Sequence, residues 1–528
     1  MPADAKKLYY RIELRFIPCG SATPVMTQLK KRSSALAAIL PLVAVLMGSV
    51  NRSSTGSGDQ KSPAKTGPAK SLKINLDTSV EVKLPEVRDL HAVGFHTSDG
   101  KEGWVLRLPG NRPIATPAYA DGLLFVGGGY GSHEFYAFKA KTGEIAWKIN
   151  TSDDGPTAAV VEGGYVAFNT ESCTVIVVDE KTGKVIWQEW LGDPLMSQPA
   201  ISNGHLFIAY PAGQHNPKHS SQQAPTPTKV RAGDYRLLAV DLKTGHHLWE
   251  QDIPTDVISA PVVKAEYVYV TCFDGTSLAL DASTGRVLWK KKGTATSAPL
   301  AVGDQIILTR KEQDGKSQYE GFARVDALKG EDKDKQLLAK GRADYLAKGE
   351  GRSSALAIGA QKSLDMSVGF GSAPAAAKLS AADENVGVNT VVGGWAYQGS
   401  RAAYSQGSLF NAQGRYLNSV SSKDGGQQWQ AEITGKNADE KTQVFAPPAL
   451  GREYMYLSGA NGNLISVRQR DGQVGFAYSF KKPMIFQPAL VDGSVCVGTG
   501  DGLLICLQTN NKDADGWYGW GGNAQHNK

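Results

Sequence analysis

The sequence predicts an all-β fold: an eight-bladed β-propeller of four-stranded antiparallel blades, in which an N-terminal strand closes the last blade and a partly helical insert interrupts the ring. Three observations carry that expectation. The block Asp281-Ala-Ser-Thr-Gly-Arg-Val-Leu-Trp289 recurs with little change as Asp241 to Trp249, Asp179 to Trp187 and Lys139 to Trp147. Trp147 and Trp187 are 40 residues apart, as are Trp249 and Trp289, and this is the length of one four-stranded blade. Three strand-like runs between Ala489 and Leu507 lack an outer strand, while Gly103 to Leu108 is an outer strand without companions.

Each block reads as strand, turn, strand. Gly143, Gly183, Gly245 and Gly285 supply the positive φ that a short hairpin on a type I turn needs. Asp179, Asp241 and Asp281 open their turns and accept hydrogen bonds from amides two residues on. Trp147, Trp187, Trp249 and Trp289 then stand in the outgoing strands, where a large flat ring fills the wedge between neighbouring sheets. Trp187 and Trp249 are 62 residues apart, and the polar, Pro-rich stretch Pro211 to Asp234 accounts for the excess as a loop inside a blade.

Weaker copies complete the count. Asp326 to Gly330 repeats the turn with Asp334 in the tryptophan position, which predicts a degenerate fifth blade with Asp334 in solvent. Lys423-Asp-Gly425 precedes Trp429, and Arg470-Asp-Gly472 precedes Phe476. Asp99-Gly100 precedes Trp104 with no strands of its own before it. Eight outer strands result, and pairing Gly103 to Leu108 with Leu503 to Leu507 would remove an open seam.

Before the ring, residues 1–32 read as a cytoplasmic segment and 33–50 as an export signal or membrane anchor. Ala35 to Val50 is free of charge and follows Lys30-Lys31-Arg32, an arrangement that keeps the N-terminus inside and translocates the rest. Met26 is a more conventional start for such a signal than Met1. Residues 51–92 read as a flexible linker, 93–510 as the propeller and 511–528 as a Gly/Trp tail. The tail segment Gly516 to Gly522 is expected to pack on the disc rather than bind a partner. The net charge of +6 is small for 528 residues and no basic block lies on a periodic helix, so no nucleic-acid partner is expected. A monomer is expected.

Between about 340 and 390 the repeat lapses into sequence rich in charge, Gly and Ala, read as one or two short helices over one face of the disc. Five cysteines are too few for a disulfide framework. Cys496 and Cys506 flank one turn symmetrically, so they face each other either oxidised after export or, as is commoner for such pairs, reduced in the core. His215 and His219 enclose Pro217, which argues against the helix that would align two metal ligands. His246-His247 reads as a solvated pair. No metal site, nucleophile elbow or phosphate loop is present in the sequence.

These repeats resemble the PQQ-repeat propeller family, which includes quinoprotein alcohol dehydrogenases and the envelope-assembly propeller BamB. The resemblance covers roughly Trp104 to Gln508. It implies one of two functions. The first is a non-catalytic exported scaffold, periplasmic and either anchored or released, that binds proteins or an envelope polymer. The second is a PQQ-dependent dehydrogenase with calcium in the channel. For the enzyme the family implies a disulfide between adjacent cysteines, and this chain has no Cys-Cys pair. The repeat aspartates belong to turns. The scaffold is therefore the expectation, with no cofactor and no catalytic residues. Its departures from BamB are the large mid-chain insert and the lack of a cysteine after the apolar segment for lipid attachment.

Overall fold

The disc is built from its turns outward. In the turn of Asp241, the carboxylate Oδ1 accepts from the Thr244 amide at 2.8 Å and from the Thr244 hydroxyl at 2.6 Å. Asp179 and Asp281 hold Thr182 and Thr284 in the same way. These side-chain bonds lower all three carboxyl pKa values, Thr182 and Thr244 being the main causes at the first two and Ser283 ahead of Thr284 at Asp281. The glycine after each Thr completes the turn at positive φ, +71° at Gly285.

The computed structural model describes residues 70–527 except 172, 193–196, 212–234, 347–381, 383, 388–396, 437 and 439–442. The strands form eight sheets, one per blade. Blades 1 to 4 run Ala118–Asn150, Val160–Trp190, Ala200–Ile253 and Val262–Lys291. Blades 5 to 7 run Leu300–Arg342, Ala403–Thr434 and Ala449–Ser479. Blade 8 takes three strands from Ala489–Gln508 and its fourth from Glu102–Arg107. The closing register pairs Leu503 with Arg107, Ile505 with Val105 and Leu507 with Gly103, across about 400 residues of chain. The innermost strands touch in an unbroken ring, blade 8 meeting blade 1.

Three features depart from the sequence expectation. First, the linker expected over 51–92 is structured from residue 70. Lys70–Asn75 pairs in parallel with the outer strand Gln427–Thr434, and Val80–Glu81 pairs in parallel with Val474–Ser479. Val93–His96 then pairs antiparallel with Glu102–Arg107, so the Asp99-Gly100 turn does have a strand before it. Blades 6, 7 and 8 thus carry a fifth strand. Ile74, Leu76 and Val82 are the buried side chains of this strap, Ile74 because alternate residues of a strand face alternate sides.

Second, Asp334 is not solvated: its side chain is only 16% exposed. Its carboxylate takes Arg324 Nε and Nη2 at 2.7 and 2.6 Å. Third, Cys496 and Cys506 are joined in a disulfide, not reduced. They stand opposite each other on adjacent strands of blade 8, and Cys506 also faces Trp104 of the closing strand.

The insert leaves the ring after Arg342. Asp344–Leu346 forms one 3-10 turn, and Ala382, Asn385 and Val386 are buried. The helices expected between them, the loop 212–234, His215, His219, the apolar segment Ala35 to Val50 and Lys528 lie outside the described residues. Among the described residues no helix is long and apolar enough to cross a membrane.

Candidate functional site

The repeat signature is a clasp between blades. Trp249 of blade 3 lies on Gly285 of blade 4 so closely that a Cβ there would sit 2.5 Å from its ring. The same ring donates its Nε1–H to Ala282 O at 2.8 Å. Trp104, Trp147, Trp187, Trp289 and Trp429 repeat the bond, to Ala140, Glu180, Leu242, Ala327 and Gln469 O at 2.8–3.1 Å. They cover Gly143, Gly183, Gly245, Gly330 and Gly472 in turn. Sequence reasoning assigned each glycine to its own turn. The structure adds a second cause, the ring arriving from the preceding blade.

Two blades solve the same problem with other residues. In blade 5 the ring's place on Gly425 is taken by Leu338, and its N–H by Arg324 Nη1, which donates to Ser422 and Lys423 O at 2.8 and 2.9 Å. In blade 7 Phe476 has no N–H to give. There Tyr478 donates its hydroxyl to Asp99 at 2.6 Å, and Lys101 lies 5.7 Å from the Phe476 ring. Burial and the Asp99 carboxylate raise the Tyr478 pKa. The repeat residues singled out in the sequence therefore hold blades together and lie away from the channel. His247 is paired rather than solvated, meeting Glu189 of blade 2 at 2.9 Å. That contact, and the carboxylate of Glu250, raise its pKa.

The chain itself crosses the centre of the ring from two directions. One crossing is Tyr397–Arg401, the segment that enters blade 6. Tyr397 OH donates to Thr296 O at 2.8 Å and its own carbonyl accepts from Ser259 Oγ at 3.0 Å. Gln398 spans to the far side, donating to Thr116 Oγ1 at 3.0 Å and accepting from Gln487 N at 2.8 Å. Ser400 Oγ donates at 2.8 Å to Glu320, whose carboxylate also takes Thr296 and Tyr345 hydroxyls. Burial pushes the Glu320 carboxyl up against these lowering bonds.

The second crossing is the C-terminal tail. Its carbonyls at Trp517, Tyr518, Ala524 and Gln525 accept from Leu490, Tyr119, Val161 and Ile201 N at 2.7–2.9 Å. Those four amides belong to the innermost strands of blades 8, 1, 2 and 3. Trp520 is buried against Ala260, Val262 and Ala298 of blades 4 and 5. Gln487 ties the crossings together, because its side-chain oxygen accepts from Gly521 N at 2.9 Å while its amide serves Gln398.

Buried charge is concentrated at this junction. Arg401 stacks on Trp520 at 4.6 Å and donates Nε to Pro299 O at 3.1 Å. Burial lowers its pKa to about 9. His526 contacts Pro199 O through Nδ1 at 2.9 Å, and burial, with Arg401 nearby, pushes its pKa to about 3. Its ring is therefore neutral, and the tail carries no cation into the core. Sequence reading singled out the aromatic run Gly516 to Gly522 and placed the resumption of blade 6 at Gly394 to Arg401, but had no signal for the central contacts of Tyr397–Arg401 or of His526, whose partners are distant in sequence.

The comparisons with known proteins match this geometry. The BamB of Burkholderia pseudomallei is 25% identical over 275 residues, 44% of this chain and 71% of that protein. The BamB of Salmonella typhimurium is 26% identical over 216 residues, 33% of this chain and 55% of that protein. The quinohemoprotein alcohol dehydrogenase of Comamonas testosteroni superposes with a TM-score of 0.52 at 13% identity, covering 78% of this chain and 76% of its own. At that identity the likeness shows the fold alone. The family profile described as outer membrane protein assembly factor BamB matches residues 88–214, 226–357 and 389–515, well over half the chain. By that match, this chain belongs to the BamB family.

Proposed function

We propose that this chain is a non-catalytic scaffold of the cell envelope, exported across the cytoplasmic membrane, that holds protein partners during outer membrane protein assembly. The role is the one its relatives are named for. The observation that carries the reading is the occupied centre: Tyr397 and Gln398 bond to opposite sides of the ring, and Trp520 packs on blades 4 and 5. A quinone lying in the channel with calcium would have to displace them. The chain also offers no adjacent cysteines to stack on it. The disulfide at the blade 8 closure fits an oxidising compartment.

Deleting the gene in its host and quantifying outer-membrane β-barrel proteins tests the reading. A fall that the full chain restores is expected. Fractionation of cells making the full chain should place it with membranes, with the propeller digested by protease added to spheroplasts. Unchanged barrel levels, together with stoichiometric PQQ binding and alcohol-dependent dye reduction, would reverse the assignment.

A further inference from the structure

The clasp that fails to repeat in blade 5 leaves a structural consequence on the rim. The outer strand of that blade is short, Leu338–Arg342, and shifts register against Glu320 and Phe322. Asp332 still bridges to Val325, but Asp334 to Leu337 leave the ladder and, with Asp332, wall a cleft of about 250 Å³ between blades 4 and 5. A second cleft of about 620 Å³ shares Thr294, Lys311 and Glu312 with the first and runs on to Leu346 and Glu384 of the insert. The two form one groove.

Its charge is lopsided. Lys291, Lys292, Arg310, Lys311, Arg324 and Lys335 line the inner part, against Glu312, Asp332 and Asp334. Arg324 is committed to Asp334 and the blade 6 turn. Lys291 and Arg310 share the single carboxylate of Asp332, at 2.6 and 2.8 Å. Glu312 faces outward to Lys340 at 2.7 Å. Among the described residues, neither Lys292 nor Lys335 has an acid within ion-pair distance. Lys311 points at two neutral oxygens, the carbonyls of Glu384 and Asn385 at 2.6 and 2.5 Å. Burial lowers its pKa to about 8 although the Glu384 carboxylate pulls the other way, so a bound anion would offset a desolvation that Glu384 alone does not.

We propose that the groove between blades 4 and 5 binds a phosphate group, with Lys292 and Lys335 as its exposed cations and Lys311 at its floor. A surplus of two positive charges, six cations against Glu312, Asp332, Asp334 and Glu384, suits a ligand carrying more than one negative charge. Lysines entering from two walls contact separate oxygens of a phosphate as point charges. Free phosphate esters and anionic lipid headgroups present the same chemistry. The site is separate from the channel and does not depend on the scaffold reading.

The test uses the full chain at low ionic strength, with pyrophosphate followed by calorimetry and, in parallel, co-sedimentation with vesicles of phosphatidylglycerol in phosphatidylcholine or of phosphatidylcholine alone. Lys292→Gln with Lys335→Gln should weaken binding about tenfold, equivalent to about 1.4 kcal/mol. The control pair Lys141→Gln with Lys512→Gln, which removes the same charge beside blade 8, should leave it unchanged. Binding to pyrophosphate identifies a soluble phosphate as sufficient, and binding to the anionic vesicles alone identifies a headgroup. No binding of either probe overturns the proposal. So does an equal loss in the control pair, or tighter binding of a polyglutamate peptide than of pyrophosphate.

Discussion

Arg324 and Asp334 form a two-point ion pair in blade 5, at 2.7 and 2.6 Å, in the place where Ala279 faces Trp289 in blade 4. Asp334 aims the guanidinium at the turn of blade 6, and Leu338 covers Gly425. The tryptophan's two tasks, stacking and donating, are thereby divided between two side chains. Asp334→Ala should leave a mostly buried cation without its carboxylate and cost about 2 to 3 kcal/mol. Denaturant titration should find the loss, with faster amide exchange in blades 5 and 6.

Trp289→Ala removes both a ring packed on Gly330 and a donor to Ala327. A loss of about 3 to 5 kcal/mol is expected. A loss below about 1 kcal/mol in equilibrium unfolding would show that the ring contributes little to the core.

The strap changes what a truncation does. A chain beginning at Lys70 should keep the unfolding midpoint of the full chain and remain monodisperse. One beginning at Val93 exposes the outer edges of blades 6 and 7 and the apolar surface that Ile74, Leu76 and Val82 cover. Unpaired edges recruit other strands, so self-association by light scattering is expected. Ile74→Ala in the full chain should cost about 2 to 4 kcal/mol.

His526 makes the tail sensitive to acid. Its folded pKa of about 3 lies below the ordinary value of 6.5, so above pH 6.5 the ring is neutral in both states and nothing is lost. As pH falls from 6.5 toward 3 the released or unfolded state binds the extra proton. Stability should then drop by up to about 1.4 kcal/mol per pH unit. Tryptophan fluorescence should report release of Trp520 on acidification, and His526→Gln should flatten the slope.

The sequence by itself determined the all-β class, the turn chemistry, the number of blades and the closure of the ring. Those features are local and repeated: Asp281, Thr284 and Gly285 act within one hairpin, and the spacing of Trp249 and Trp289 reports the length of a blade. Even the closure was legible, because a blade missing one strand and a strand missing its blade are complementary. The alternation of Leu72 and Ile74 was a strand signal too, but nothing local says which edge such a strand joins. Tertiary structure alone decided that residues 70–96 strap three blades and that Arg324 and Leu338 share a tryptophan's work. It also decided that Gln398 and Gly521 meet at Gln487 in the centre of the ring, and that six cations line one cleft. These arrangements join residues tens to hundreds of positions apart. Each side chain has an unremarkable neighbourhood in sequence and acquires its partner only when the ring closes around it.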